Sequence, residues 1–209
     1  MELSTWIAFV AASTALLLVP GPTVLLVLSY ALSHGRRVAV ATAAGVATGD
    51  LLAMTASLAG LGAVVLASAT VFTVLKWAGA VYLVWLGLRL VVGAGQGGGL
   101  SPVTAPRREA RSVFGHAAAV TALNPKSIAF FIAFVPQFVD PGAALLPQVA
   151  VLVATFVSLA AVNALAYALA ADRLRARIGR PGVIAWLRRL GGGALVSMGA
   201  GTAALQRAG

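Results

Sequence analysis

The 209 residues suffice for one domain of ordinary size and leave little for a second. Sixty per cent are hydrophobic and a tenth charged, more apolar surface than a water-soluble chain of this length can bury, so lipid must cover part of it. The net charge of +10 sits between apolar runs rather than along an aromatic-studded polar face, which excludes a nucleic-acid surface, and the lack of cysteine excludes disulfides, thiol redox chemistry and thiolate metal sites.

A membrane helix needs about 20 apolar residues to cross some 30 Å of hydrocarbon, and six runs meet that measure: 4–28, 38–63, 69–92, 113–138, 146–171 and 184–206. The first begins after Met1-Glu2-Leu3 and stays uncharged to Ser33; without a basic start it reads as a retained span, not a cleaved signal. It holds Pro20-Gly21-Pro22 roughly 16–20 Å from its far end, near mid-membrane. Each proline lacks an amide hydrogen and clashes with the preceding turn, so the helix should break there and free carbonyls, which lipid does not tolerate unless protein or a water-filled cavity satisfies them.

The second run carries Gly45 and Gly49, a small-xxx-small pair suited to close helix packing, and Asp50, the only charge between Arg37 and Lys76. A carboxylate at a span centre costs on the order of 2.5–3.5 kcal/mol, so Asp50 should be paired, protonated or facing water. Poised between burial and a nearby cation, it can take up and release a proton. In the third run Lys76 precedes Trp77 and can snorkel to the headgroups, and Tyr82 fits packing or a site equally. Gly93 to Ser112 is Gly-rich, then Pro- and Arg-rich, and is predicted to be a flexible loop.

The fourth run has Asn124-Pro125-Lys126, then Phe130, Phe131 and Phe138, whose simplest use is packing. Lys126 and Asp50 fall at matching depths, roughly 20 Å along their spans, which predicts an ion pair. Asn163 and Tyr167 are polar groups in the fifth run, more often interhelical glue than ligands. The sixth opens on Gly191-Gly192-Gly193. His34 and His116 are too sparsely accompanied for a metal site, and none is expected.

Arg36, Arg37, Arg89, Arg107, Arg108, Arg111 and six arginines from Arg173 to Arg189 all fall on one side of a six-span arrangement, twelve of the fifteen basic residues. The positive-inside rule makes that side cytoplasmic and both termini external, and five or seven spans would scatter the charge. The halves also rhyme. Pro20-Gly21-Pro22 corresponds to Asn124-Pro125, and Gly79-Ala80 with Gly87 to Gly193-Ala194 with Gly201. One all-α membrane domain, 1–209, is thus expected as two three-helix halves, 1–92 and 113–209, inverted about a cytoplasmic loop at 93–112, a recurring design of secondary transporters.

These residues together resemble the lysine exporter (LysE/RhtB-type) family of amino-acid translocators, in Pro20-Gly21-Pro22, Gly45-x3-Gly49-Asp50, Lys76-x2-Gly79-Ala80-x-Tyr82-Leu83-x3-Gly87 and Asn124-Pro125-Lys126-x3-Phe130-Phe131-x4-Pro136-Gln137-Phe138. The resemblance implies a carrier in a bacterial-type cytoplasmic (inner) membrane that exports amino acids in exchange for protons, with no cofactor and no enzymatic step; a homo-oligomer is compatible with it. It makes Pro20, Gly21, Pro22, Asp50, Lys76, Asn124, Pro125 and Lys126 the leading site residues, with Gly49, Tyr82, Phe131 and Asn163 in the wider set. The competing readings are an exporter of another small solute such as a metal cation, which a single intramembrane carboxylate serves badly, an intramembrane enzyme, for which no HExxH, GxSxG or aspartyl pair is present, and a non-transporting scaffold. A neutral amino acid is favoured over a basic one, because no surplus of intramembrane acid is there to meet a second cation.

Overall fold

Among the described residues, 1–19, 21–34, 38–93, 109–178 and 181–205, every regular element of this computed structural model is helical. The α-helices run in the order α1 Leu3–Leu18, α2 Pro22–His34, α3 Ala39–Ala67, α4 Ala69–Gly93, α5 Ala110–Ala122, α6 Pro125–Ala133, α7 Leu145–Ile178 and α8 Pro181–Leu205, and a short 3-10 turn, Val135–Phe138, follows α6. Three of them, over Ala39–Gly62, Thr70–Gly93 and Leu145–Ala171, are long and apolar enough to cross a bilayer, and α1 with α2 makes a fourth such unit, bent by 58°. Their outward faces remain apolar, as at Leu52, Val81 and Val162, each more than half exposed, which suits lipid and not water.

Two expected spans are each built from two helices. Val19 ends α1 in an extended conformation, as a residue before proline should, and Pro22 opens α2 at the first helical position, where its missing N–H costs nothing. In the same way α5 stops at Leu123, and Asn124 caps α6, whose first residue is Pro125. The helix α7 outruns the expected 146–171 by several residues: hydropathy marks where lipid ends, but Asp172 to Ile178 contains no helix breaker. The loop expected at 93–112 is shorter, since Gly93 still belongs to α4 and α5 starts at Ala110; 94–108 lie outside the described residues. Pro181 starts α8, which runs unbroken through Gly191-Gly192-Gly193.

Glycine sets how the helices cross. A methyl group at Gly45 would come within 2.5 Å of the Phe114 carbonyl and one at Gly49 within 2.6 Å of that of Ala118, so α3 lies directly on α5. On the other side α4 meets α8 through Gly87, Gly192 and Gly199, where added methyls would fall 2.5 Å from the Gly192 carbonyl, the Gly87 carbonyl and Val84 respectively. In α8 the crossing uses Gly192 and Gly199, whereas Gly193 and Gly201 face open space.

A run of aromatic rings fills the end of the bundle around α6 and the 3-10 turn. Phe9 of α1 meets Phe138 at 5.3 Å between centroids, Phe138 meets Phe134 and Phe134 meets Phe130 at 5.2 Å each, and Phe156 of α7 meets Phe130 at a tilt and Phe131 edge-on. Edge-on and offset contacts of this kind add about 0.5–1.5 kcal/mol per pair to the burial.

Candidate functional site

Breaking a helix leaves its last four carbonyls without intrahelical partners, and in lipid each must be satisfied by protein or water. At the end of α1 all four have partners, and most come from distant helices. The Lys126 ammonium, from the first turn of α6, donates to the Leu16 and Val19 carbonyls at 3.0 Å each. Asn163 Nδ2 donates to Leu17 O at 3.3 Å and the Tyr167 hydroxyl to Leu18 O at 3.4 Å, both from α7. A cation at the negative end of the α1 dipole is also electrostatically favourable. Gly21 lies alongside, its Cβ position 3.4 Å from the ammonium.

The second break is tied to the first. Asn124 Oδ1 accepts from the Lys126 backbone N–H at 3.1 Å, capping α6, while its Nδ2 donates to Thr23 Oγ1 at 3.2 Å in the first turn of α2. Thr23 and Thr121 hydroxyls lie 3.4 Å apart across the same seam.

Two cavities meet at Lys126. The larger, about 350 Å³, is lined by Val19 and Gly21 at the first break, from α2 by Pro22 and Leu25, from α4 by Tyr82, Leu86, Arg89, Leu90 and Gly93, from the α6 start by Asn124, Pro125 and Lys126, and from α8 by Arg188. That volume lies in the range of small-molecule sites. The smaller, about 20 Å³, is lined by Asp50, Thr23, Asn124, Lys126, Asn163 and Tyr167 among apolar neighbours, and has room for about one water molecule. Asp50 is 2 % exposed, and its Oδ1 has no hydrogen-bond partner.

The expected ion pair between Asp50 and Lys126 is not formed. Both side chains are buried and line the small cavity, but the ammonium is bonded to the two α1 carbonyls. Helix breaking supplies the reason: freed carbonyls compete for the same cation, and two of them lie within its reach. Depth arithmetic placed the two charges at one level and could not see the competitor.

Of the residues singled out from sequence, Gly21, Pro22, Tyr82, Asn124, Pro125 and Lys126 line the large cavity, and Asp50, Asn124, Lys126 and Asn163 the small one. Pro20 lies outside the described residues. Gly49, Lys76 and Phe131 line neither cavity: Gly49 is a packing contact for α5, Lys76 is half-buried near the start of α4, and Phe131 is fully buried against Phe156. Sequence reasoning passed over Thr23 and Thr121 and counted Arg89 and Arg188 only as topology markers. Their signal was thin, although both arginines abut the α4 and α8 glycine motifs. Elsewhere, the Tyr30 hydroxyl lies 2.7 Å from His116 Nδ1 and its ring packs edge-on to His34, joining α2 to α5; among the described residues no group of three or more His, Asp or Glu side chains converges.

Comparison with known proteins is consistent across the chain. The sequence model of LysE type translocators matches residues 14–204. The chain is 34% identical over 201 residues, 96% of each partner, to a homoserine/homoserine lactone efflux protein of Salmonella typhimurium, and 30% identical over 139 residues, 66% of this chain and 65% of the other, to a leucine efflux protein of Klebsiella pneumoniae. It is also 30% identical over 203 residues to a membrane protein of Vibrio cholerae. No solved structure matches.

Proposed function

The chain belongs to the LysE type translocator family and is a membrane transporter, and from that premise we propose that it exports neutral amino acids or close derivatives from the cytoplasm in exchange for protons. The observation that carries this reading is the meeting of two helix breaks at a 350 Å³ cavity, with the buried Asp50 and Lys126 beside it. A scaffold has no use for such a hollow, nor for the cost of holding a carboxylate and an ammonium inside lipid.

In the proposed arrangement α1–α2 and α5–α6 are single broken spans, giving six, and the two three-span halves stand inverted in the cytoplasmic membrane with both termini outside. The matching breaks, each followed by two long helices, support it, as does the one-sided charge. The large cavity then faces the cytoplasm, between α2 and the ends of α4 and α8 that carry Arg89 and Arg188. A solute entering there brings its own ammonium to a place where the α1 carbonyls already hold that of Lys126, so binding requires Lys126 to share or yield them. Asp50, across the small cavity, is the nearby carboxylate toward which a displaced Lys126 can turn, and proton uptake by Asp50 from outside removes that destination. Coupling follows if the two access states differ in affinity for proton and solute, since a ligand that binds both equally shifts nothing.

The direct test is efflux from export-deficient cells loaded with dipeptides that release single amino acids inside. Hosts carrying this protein should lose neutral amino acids to the medium several-fold faster than those without it. Equal efflux of every amino acid supplied would reject the proposal.

A further inference from the structure

We propose that Arg89 and Arg188 receive the carboxylate of the solute at the mouth of the large cavity and restrict its cargo to solutes with one carboxylate and no second cationic group. The inference rests on the amino-acid export reading and adds to it the residues that choose the substrate. Arg89, Arg188 and Lys126 line that cavity, and among the described residues that line it none is acidic. An anion entering it is drawn in, whereas a side-chain cation meets like charges that no carboxylate among the described lining residues offsets. The apolar part of the lining, Leu25, Leu86 and Leu90, suits an aliphatic or hydroxylated side chain.

The two arginines stand where the helix crossing puts them. Gly87 and Gly192 hold α4 against α8 with backbone in contact; Arg89 follows Gly87 by two residues, and Arg188 precedes Gly192 by four, about 6 Å toward the helix start. Each guanidinium is oriented. Arg188 Nη1 donates to the Gly93 carbonyl at 3.2 Å, at the last residue of α4, and Arg89 lies 5.3 Å from the centroid of the Trp85 ring. A guanidinium presents its N–H donors in a planar fork, and that fork matches a carboxylate as an ammonium does not. The plainer account, arginines reaching for lipid headgroups, predicts no dependence on the carboxylate of the solute.

The purified protein in proteoliposomes tests this with L-leucine and L-homoserine, with the carboxylate-free leucinamide and homoserine lactone, and with L-lysine. Arg89→Gln and Arg188→Gln should each raise KM for the two carboxylate solutes about tenfold or more with kcat little changed, and leave the carboxylate-free analogues unchanged or improved as substrates or inhibitors. Arg188→Lys, which keeps the charge and loses the planar fork, should recover only part of the loss for the carboxylate solutes. Lysine should be a poor substrate of the unaltered protein. Unchanged KM values in both glutamine variants, or equal losses for solutes with and without a carboxylate, would overturn the assignment, as would efficient lysine transport. Failure of the unaltered protein to move any of these solutes would instead overturn the amino-acid reading beneath it.

Discussion

Replacing Lys126 by methionine keeps the stem and removes the ammonium that serves two carbonyls of α1. Charge-assisted hydrogen bonds are worth about 1.5–3 kcal/mol and buried carbonyls left bare are costly, so Lys126→Met should lower the melting temperature in detergent by several degrees as well as stop transport. Asp50→Asn should behave differently. With no bonded partner on Oδ1, the variant should insert and melt much as before, yet lose export driven by a proton gradient; full coupled activity would remove Asp50 from the mechanism. Both residues were conspicuous in the sequence, since a lone charge in an apolar run has few explanations. Their partners were not. Lys126 bonds to carbonyls 107 and 110 residues away, and a backbone oxygen leaves no mark in a sequence pattern. Proline could only say that carbonyls would be freed, not which side chains would answer them.

Among the helices, glycines were readable as packing positions but not in register. Gly45 and Gly49 do hold α3 on α5, as a small-xxx-small pair suggests, whereas nothing in the sequence separated Gly192 and Gly199, which meet α4, from Gly193 and Gly201, where an added methyl would meet nothing within 4 Å. A stretch such as Gly191-Gly192-Gly193 offers three faces of one helix, and only the crossing angle decides which is used. The difference is measurable. Gly87→Val should force α4 from α8 against rigid backbone and cost stability and transport, while Gly193→Ala should be tolerated or slightly stabilising, because alanine favours helix over glycine by up to about 1 kcal/mol. Melting of the two purified variants side by side checks this, and a severe loss in Gly193→Ala would contradict the packing. The helix breaks themselves were well marked, since Pro20-Gly21-Pro22 and Asn124-Pro125 are chemical statements about backbone, but the far end of α7 was not, because hydropathy reports solvent and not hydrogen bonding.

For the molecule as a whole, class and family were legible from composition and a handful of ordered motifs, while the cavities arise from segments far apart in the chain. Topology can be read directly, because the protein has no cysteine of its own. Single cysteines at Ser112, before the body of α5, and at Ala143, before α7, should fall on opposite sides of the membrane. In intact cells a membrane-impermeant maleimide should label Ala143→Cys and leave Ser112→Cys until the cells are opened; labelling of both, or the reverse order, would refute the proposed orientation.

The chain of rings from Phe9 through Phe138, Phe134 and Phe130 to Phe156 ties α1, the 3-10 turn, α6 and α7 together with apolar contacts. A living membrane is a charged capacitor, and any continuous file of water through it would discharge the voltage on which the cell runs. Packed rings offer neither donors nor acceptors for such a file. In a carrier working as proposed they are expected to insulate, and thinning them should show first as lost membrane potential rather than as lost cargo.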